Sequence, residues 1–178
     1  MKLTESQLKQ CIPTASNANI KRFLEPINKT LVKYDINTVK RISAFLAQIT
    51  HESGSLHYVK EIASGKAYEG RKDLGNIIPG DGVKYKGRGI IQITGRDNYM
   101  SLSKDFKVDF ITKPELLEQP TNAVMSAGWF WDKNKLNLLA DVGKFETITR
   151  RINGGLNGYK ERVLFWTLCK KVLTPKCS

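Results

Sequence analysis

Two glutamates nine residues apart, Glu52 and Glu61, are the side chains whose placement in this sequence could support acid/base chemistry. Glu52 lies near the end of RISAFLAQITHES, residues 41–53, where Ile42, Phe45, Leu46 and Ile49 recur at the spacing of one α-helical face. The stripe continues onto Glu52, which sets a carboxyl in line with core-facing residues, in the last helical turn before Gly54. Partial desolvation and the negative end of the helix dipole both favour a carboxyl that keeps its proton, as a general acid must. The competing reading is a glutamate whose head reaches solvent, the commoner fate of acidic residues.

An acid/base pair needs a second carboxylate. Glu61 follows across SGSLHYVK, where Gly54 lets the chain turn back. Such a link can set it across a cleft from Glu52, as an inverting glycosidase requires, with carboxyls roughly 6.5–9.5 Å apart and a water between them. Glu69 and Asp73, in AYEGRKDLG, are rivals for the same role, and spacing alone does not separate the three. For Glu69 an ion pair with Arg71 or Arg88 is the favoured alternative.

These residues need elements to position them. Thr4 with Gln7 reads as a capping box opening a first short helix. Ile20, Phe23 and Leu24 begin a second, and Pro26 is expected to break it or to begin the next. Asn37 or Thr38 caps the Glu52 helix, and Thr121 caps one running through Trp129 and Trp131. Residues 54–89 hold eight glycines and few periodic apolar positions, so they read as a long shaped loop, a feature usually functional inside compact domains. GIIQITG, residues 89–95, predicts a short strand with Gln92 and Thr94 on one face and Ile91 and Ile93 toward the core. The expected architecture is a single mainly α domain (α+β) over residues 1–178, with about eight helices and a Gly-rich, partly extended lobe after the Glu52 helix.

Composition narrows the partners. The 178 residues carry 29 Lys plus Arg against 17 Asp plus Glu, a net +12 scattered along the chain, which points to an anionic partner. Cys11, Cys169 and Cys177 form an odd set without CxxC, suggesting neither a disulfide framework nor a zinc site, and Cys169 reads as a small buried apolar residue. His51 and His57 are a poor metal site, so no metal or cofactor is expected, and His51 reads as structural. MKLTESQLKQC has no apolar core of a secretory signal, and no apolar run is long enough to span a membrane.

The motifs FLAQITHESG, EIASGKAYEGRKDLGN, PGDGVKYKGRGIIQITGRDNY and RRINGGLNGYKER, in that order, resemble glycoside hydrolase family 19, in its phage endolysin rather than its plant chitinase branch. The resemblance runs from about residue 37 to about residue 166 and implies a lysozyme-like, two-lobed helical fold. It implies Glu52 as general acid, Glu61 as general base and Thr94 as the residue that positions the attacking water. Gln92, Asn98 and Asn153 match sugar-binding positions, and Arg162 matches an arginine near the catalytic centre, here assigned to substrate binding. The loop between the two glutamates is far shorter than in plant members, and the paired cysteines of secreted chitinases are absent.

Residue chemistry agrees with those assignments. A threonine hydroxyl both donates and accepts, enough to orient a water, and the amides of Gln92 and Asn98 suit N-acetyl groups and hydroxyls. Tyr58, Tyr68 and Tyr85 lie in the Gly-rich lobe, where they stack on sugars or pack the loop; Tyr68 and Tyr85 are taken as substrate-binding. Trp129, Phe130 and Trp131 read as core. The expected function is an endolysin that hydrolyses β-1,4 bonds of bacterial peptidoglycan by inversion, as a monomer. It is made in the infected cytoplasm and released through a holin-type pore. Its charge suits anionic wall polymers or the outer membrane, whereas chitin is neutral. A chitinase is the nearest alternative. A non-catalytic wall-polymer or nucleic-acid binder is the distant one, disfavoured because base-stacking motifs and a clustered basic helix are missing. The last helix, with Arg162, Lys170 and Lys171 beside Leu164, Phe165 and Trp166, could touch anionic lipid but is expected to pack inward.

Overall fold

The computed structural model describes residues 1–175. Among these, nine α-helices carry most of the chain: α1 (Glu5–Cys11), α2 (Asn17–Lys33), α3 (Val39–Glu52), α4 (Asp81–Lys84), α5 (Arg96–Phe106), α6 (Pro120–Lys133), α7 (Leu136–Asp141), α8 (Phe145–Asn153) and α9 (Tyr159–Leu173). Cys177 lies outside the described residues. Cys11 and Cys169 are both buried free thiols, and Cys169 Sγ donates to the Cys11 carbonyl at 3.6 Å.

The caps follow local chemistry. Thr4 Oγ1 accepts from Gln7 N at 3.2 Å while Gln7 Oε1 accepts from Thr4 N at 3.0 Å, a closed capping box on α1. Thr38 Oγ1 accepts from Arg41 N at 3.2 Å and starts α3. Two boundaries differ from expectation. α2 runs unbroken through Pro26, which is buried and whose carbonyl accepts from Thr30 Oγ1 at 2.9 Å; packing of α2 on α6 outweighs the lost backbone donor. α6 begins with Pro120 at its first position rather than with a Thr121 cap, the place where a missing N–H costs nothing.

α3 is buried on nearly every side from Ile42 to Thr50, and its principal neighbour is α9, with α7 and α8 alongside. Phe45 meets Trp131 edge-on at 5.3 Å between centroids, and each such side chain fully withdrawn from water contributes on the order of 1.5–3 kcal/mol. Arg41 Nε and Nη2 grip Asp141 at 2.8 and 2.6 Å, fixing the start of α3 to α7. α9 presents Arg162, Phe165, Cys169 and Leu173 inward, so it is a core helix, as expected.

A second, smaller core of Tyr85, Ile93, Tyr99, Leu102, Phe110, Leu117 and Trp129 lies under the Gly-rich lobe. α6 serves both cores, sending Trp131 into the first and Trp129 into the second. The lobe itself is tied by polar contacts. Arg96 holds the buried Asp81 bidentately at 2.8 and 2.5 Å, and that guanidinium keeps the carboxyl below its ordinary range. Asn76 Oδ1 accepts from Arg96 N at 2.9 Å, and its amide donates to the Tyr68 carbonyl at 2.9 Å.

The strand expected over residues 89–95 does not form. Gln92 sits at φ +59° and Gly89 at φ +82°, and Gln92 N closes a turn onto the Gly89 carbonyl at 3.2 Å. Arg88 and Ile93 exchange backbone hydrogen bonds at 3.1 and 2.8 Å, so pairing shrinks to isolated bridges, Lys60 with Arg88 and Arg88 with Ile93. Alternation fails with it: Ile90 and Ile93 are buried, whereas Ile91 is half-buried. A glutamine in the left-handed region costs about 1–3 kcal/mol and is the kind of strain that clusters at functional sites.

Candidate active site

α3 ends where the site begins. Ser53 Oγ donates to the Ile49 carbonyl at 2.6 Å and accepts from Leu56 N at 2.9 Å. Gly54, Ser55 and Leu56 all take positive φ, with the Leu56 side chain fully buried as the anchor of the reversal. This turn delivers Tyr58 to Glu61 back across the end of α3, where Lys60 bridges to Arg88 and Glu61 N donates to the Gly87 carbonyl at 2.9 Å.

The result is a cleft of about 750 Å³ lined by Glu52, Tyr58, Lys60, Glu61, Tyr68, Gln92, Thr94 and Asn153, among others. An adjoining hollow of about 230 Å³ shares Gln92, Thr94 and Ile152, and adds Asn98, Trp129 and Phe130. The structure therefore brings Glu52, Glu61, Gln92, Thr94, Asn98, Asn153 and Tyr68 together around these two adjoining hollows.

Glu52 and Glu61 are held very differently. Glu52 Oε1 accepts from Arg162 Nη2 at 2.5 Å, and Oε2 has no protein partner among the described residues. Arg162 is only 1% exposed and also donates to Gln48 Oε1 at 2.5 Å and to the Asn157 carbonyl at 3.2 Å. Gln48 in turn donates to Thr149 Oγ1 at 2.8 Å. Arg162 thus stands behind Glu52 rather than in the groove, which corrects its assignment to substrate binding. The apolar stripe placed Glu52 correctly but gave no sign of this buried guanidinium, which comes from a helix more than a hundred residues away.

Glu61 receives only neutral donors: Tyr68 Oη at 3.0 Å and Gly87 N at 3.1 Å, both on Oε2. Burial first, and the Glu61 carboxylate second, hold the Tyr68 hydroxyl above its ordinary pKa, so it remains a donor. Glu61 Oε1 is buried and has no partner among the described residues, and the same is true of Gln92 Oε1 and Asn153 Nδ2. Three buried polar atoms without partners around one groove are a binding surface for a polar ligand, since such atoms are otherwise costly. Thr94 Oγ1 donates to the Gln92 carbonyl at 2.9 Å, which spends its proton and leaves its lone pairs for a donor in the groove. One N–H of the Asn98 amide donates to the Thr94 carbonyl at 2.8 Å, which leaves its second N–H and its oxygen for a ligand.

The rival carboxylates have other work. Glu69 accepts from Gly80 N at 2.6 Å and Gly82 N at 2.8 Å, clamping the glycine loop, and pairs with neither Arg71 nor Arg88. Asp73 is chelated by Arg71 at 2.7 and 2.5 Å on the outer surface, and Arg88 pairs with Glu118 at 2.8 Å. Tyr85 is fully buried, with its hydroxyl donating to the Ile111 carbonyl at 3.2 Å, so it packs the lobe and cannot meet a sugar. Tyr58, 46% exposed in the groove wall, remains available for stacking. His51 is paired with Glu161 and packs against Gly158, a structural role. The sequence reading missed Lys60 and Ile152 as lining residues; their neighbours Glu61 and Asn153 were the available signal.

The family model for glycoside hydrolase 19, described as chitinase class I, matches residues 28–139. The chain belongs to glycoside hydrolase family 19. That match includes Glu52, Glu61, Gln92, Thr94 and Asn98, whereas Asn153 and Arg162 lie beyond it. This family 19 chain is 42% identical over 102 residues to a glycosyl hydrolase family 19 domain-containing protein of Haemophilus influenzae, covering 57% of this chain and 49% of that protein. It is 38% identical over 145 residues to an endochitinase of Arabidopsis thaliana, covering 76% of this chain and 50% of the other. The chain thus spans about half the length of these curated relatives. Among solved structures, a bacterial family 19 chitinase superposes with a TM-score of 0.79 at 22% identity, over 99% of this chain and 97% of that one. Chitinase C from Streptomyces griseus superposes with a TM-score of 0.76 at 23% identity, over 96% and 76%. At such identities the likeness concerns the fold, which is the mainly helical, lysozyme-like one expected.

Proposed function

We propose that this chain hydrolyses β-1,4 glycosidic bonds of bacterial peptidoglycan with inversion, as the lysis enzyme of an infecting phage. The observation that carries the chemistry is two carboxyls facing one groove: Glu52 with Oε2 open, and Glu61 with Oε2 held by neutral donors and Oε1 buried without a partner among the described residues. In this reading Glu52 protonates the leaving oxygen through Oε2. A water donates one hydrogen to Glu61 Oε1 and the other to Thr94 Oγ1, so that its lone pair is aimed at the anomeric carbon. Gln92 and Asn153 supply a carbonyl oxygen and an amide N–H to the sugar.

Peptidoglycan is favoured over chitin by charge. At +12 the protein gains from a substrate bearing stem-peptide carboxylates and wall polyanions, and would gain nothing from neutral chitin. A lysis enzyme of this kind gathers in the infected cytoplasm as a monomer and reaches the wall through a pore made by a partner. The second reading, chitin cleavage, is favoured by the relatives that are named endochitinase or chitinase.

Purified peptidoglycan digested and then reduced with borohydride tests both bond and substrate. Muropeptides ending in reduced N-acetylmuramic acid are expected, with the α-anomer formed first when the reaction is followed by proton NMR. Intact sacculi alongside cleaved chitin oligomers would replace this reading with the second, and a β-anomeric first product would remove the inverting mechanism.

A glycine supplies a finer check. A Cβ on Gly87 would stand 2.7 Å from Glu61 Oε2 and 2.8 Å from Gln92 Oε1, the movable ends of two side chains. Gly87→Ala is therefore expected to fold with little change in Tm while kcat falls about tenfold to a hundredfold, because sub-ångström misplacement of reacting groups is enough for that. Wild-type kcat in the variant would mean that the two side chains have room to shift without consequence.

A further inference from the structure

We infer that Lys60 is the specificity-determining cation of the groove, recognising a carboxylate of the substrate's peptide stem; this rests on the peptidoglycan reading above. Three charged side chains line the groove: Glu52, Glu61 and Lys60. Glu52 is matched by Arg162 and Glu61 is held by neutral donors, which leaves Lys60 as the positive charge presented to a ligand.

Its apparent partner does not neutralise it. Lys60 Nζ lies 3.3 Å from Glu118 Oε2, but Glu118 Oε1 already accepts from Arg88 Nε at 2.8 Å. Two cations therefore share one carboxylate, and the trio keeps a net positive charge. The Arg88 side chain is 11% exposed whereas that of Lys60 is 47% exposed, so the surplus charge is displayed by the ammonium. The backbone of Lys60 is fixed by its bridge to Arg88, next to Glu61, so the ammonium stem starts beside the second carboxyl of the site. Lys86 adds to the field by donating to the Ala63 carbonyl at 2.9 Å on the same rim.

A chitin chain offers this cation only amides and hydroxyls. A peptidoglycan strand carries a carboxylate-bearing stem on every second sugar, and a lysine is suited to it as a mobile point charge that tolerates stems of varied length. An exposed pair of this kind changes binding modestly and loses its effect in high salt.

The test is a cycle of protein and substrate. Wild type, Lys60→Met and Lys60→Arg are assayed at low salt on native peptidoglycan and on peptidoglycan whose stem carboxyls have been amidated. On the native polymer Lys60→Met is expected to raise KM about two- to fivefold with kcat held, and Lys60→Arg to restore it. On the amidated polymer the ratio between wild type and Lys60→Met should collapse to one. The same ratio on both polymers, a fall in kcat rather than a rise in KM, or no change on either would overturn the assignment. Wild type that releases no muropeptides from either polymer removes the peptidoglycan reading itself, an outcome distinct from all of these.

Discussion

Glu52→Gln and Glu61→Gln are each expected to lower kcat by about 10²–10⁴-fold with KM and Tm close to wild type, the range that positioned proton transfer contributes. Both changes keep the shape of the side chain and remove only its ability to move a proton. For Glu61 the amide can be accommodated, since Oε2 accepts from Tyr68 and Gly87 and an amide oxygen can do the same. For Glu52 the amide oxygen still accepts from Arg162. The two losses separate by leaving group. On an aryl glycoside that departs as a stable phenolate, Glu52→Gln should recover much of its rate, whereas Glu61→Gln should not, because the water still needs a base. Asp73→Asn, which touches only the outer surface pair with Arg71, should stay within about twofold of wild type, an exposed pair being worth little. A Glu61→Gln enzyme of undiminished rate would exclude it as the base.

Arg162→Met should be the most damaging single change to the fold. The guanidinium is 1% exposed and serves Glu52, Gln48 and the Asn157 carbonyl together, binding α9 to α3 from the inside. Its removal leaves a partly buried carboxylate and a buried amide oxygen without donors, which costs about 3–5 kcal/mol. For a chain of this size that corresponds to a fall in Tm of about 6–20 °C. Activity should fall further than stability explains, because Glu52 loses the contact that fixes its rotamer. Coupling decides the point: Arg162→Met combined with Glu52→Gln should be less destabilising than the sum of the two, since the uncompensated carboxylate has gone. Strict additivity, measured by urea unfolding, would mean that Arg162 acts through Gln48 and Asn157 alone.

The parts of this molecule that were legible in its sequence are those set by local periodicity and capping. α3, with its apolar stripe ending on Glu52, needed only helical spacing, and α1 announced itself by Thr4 and Gln7. The Gly-rich lobe was legible as a shaped loop because glycine density is a backbone property. What escaped was decided at long range. Nothing near Gln92 signals a left-handed conformation, because residues from Lys60 to Ser126 enclose the turn; a strand was the reasonable expectation for Ile90–Ile91–Gln92–Ile93 until that packing was known. Tyr85 reads the same as Tyr68 in sequence, and only the second core separates the buried one from the one in the groove. Glu69 loses its candidacy to the backbone amides of Gly80 and Gly82, partners that carry no side-chain signature at all.

Glu52 rides on the helical body, while Glu61 rides on a chain segment sewn to the glycine lobe through Gly87. The two halves of the chemistry thus answer to different packing. A substitution in the body acts on Glu52 through Arg162 and Gln48, whereas one in the lobe acts on Glu61 through Tyr68 and Gly87. The turn at residues 53–56 joins these two halves at one end and the run into α6 joins them again at the other, so the length of the turn governs how far the base stands from the acid.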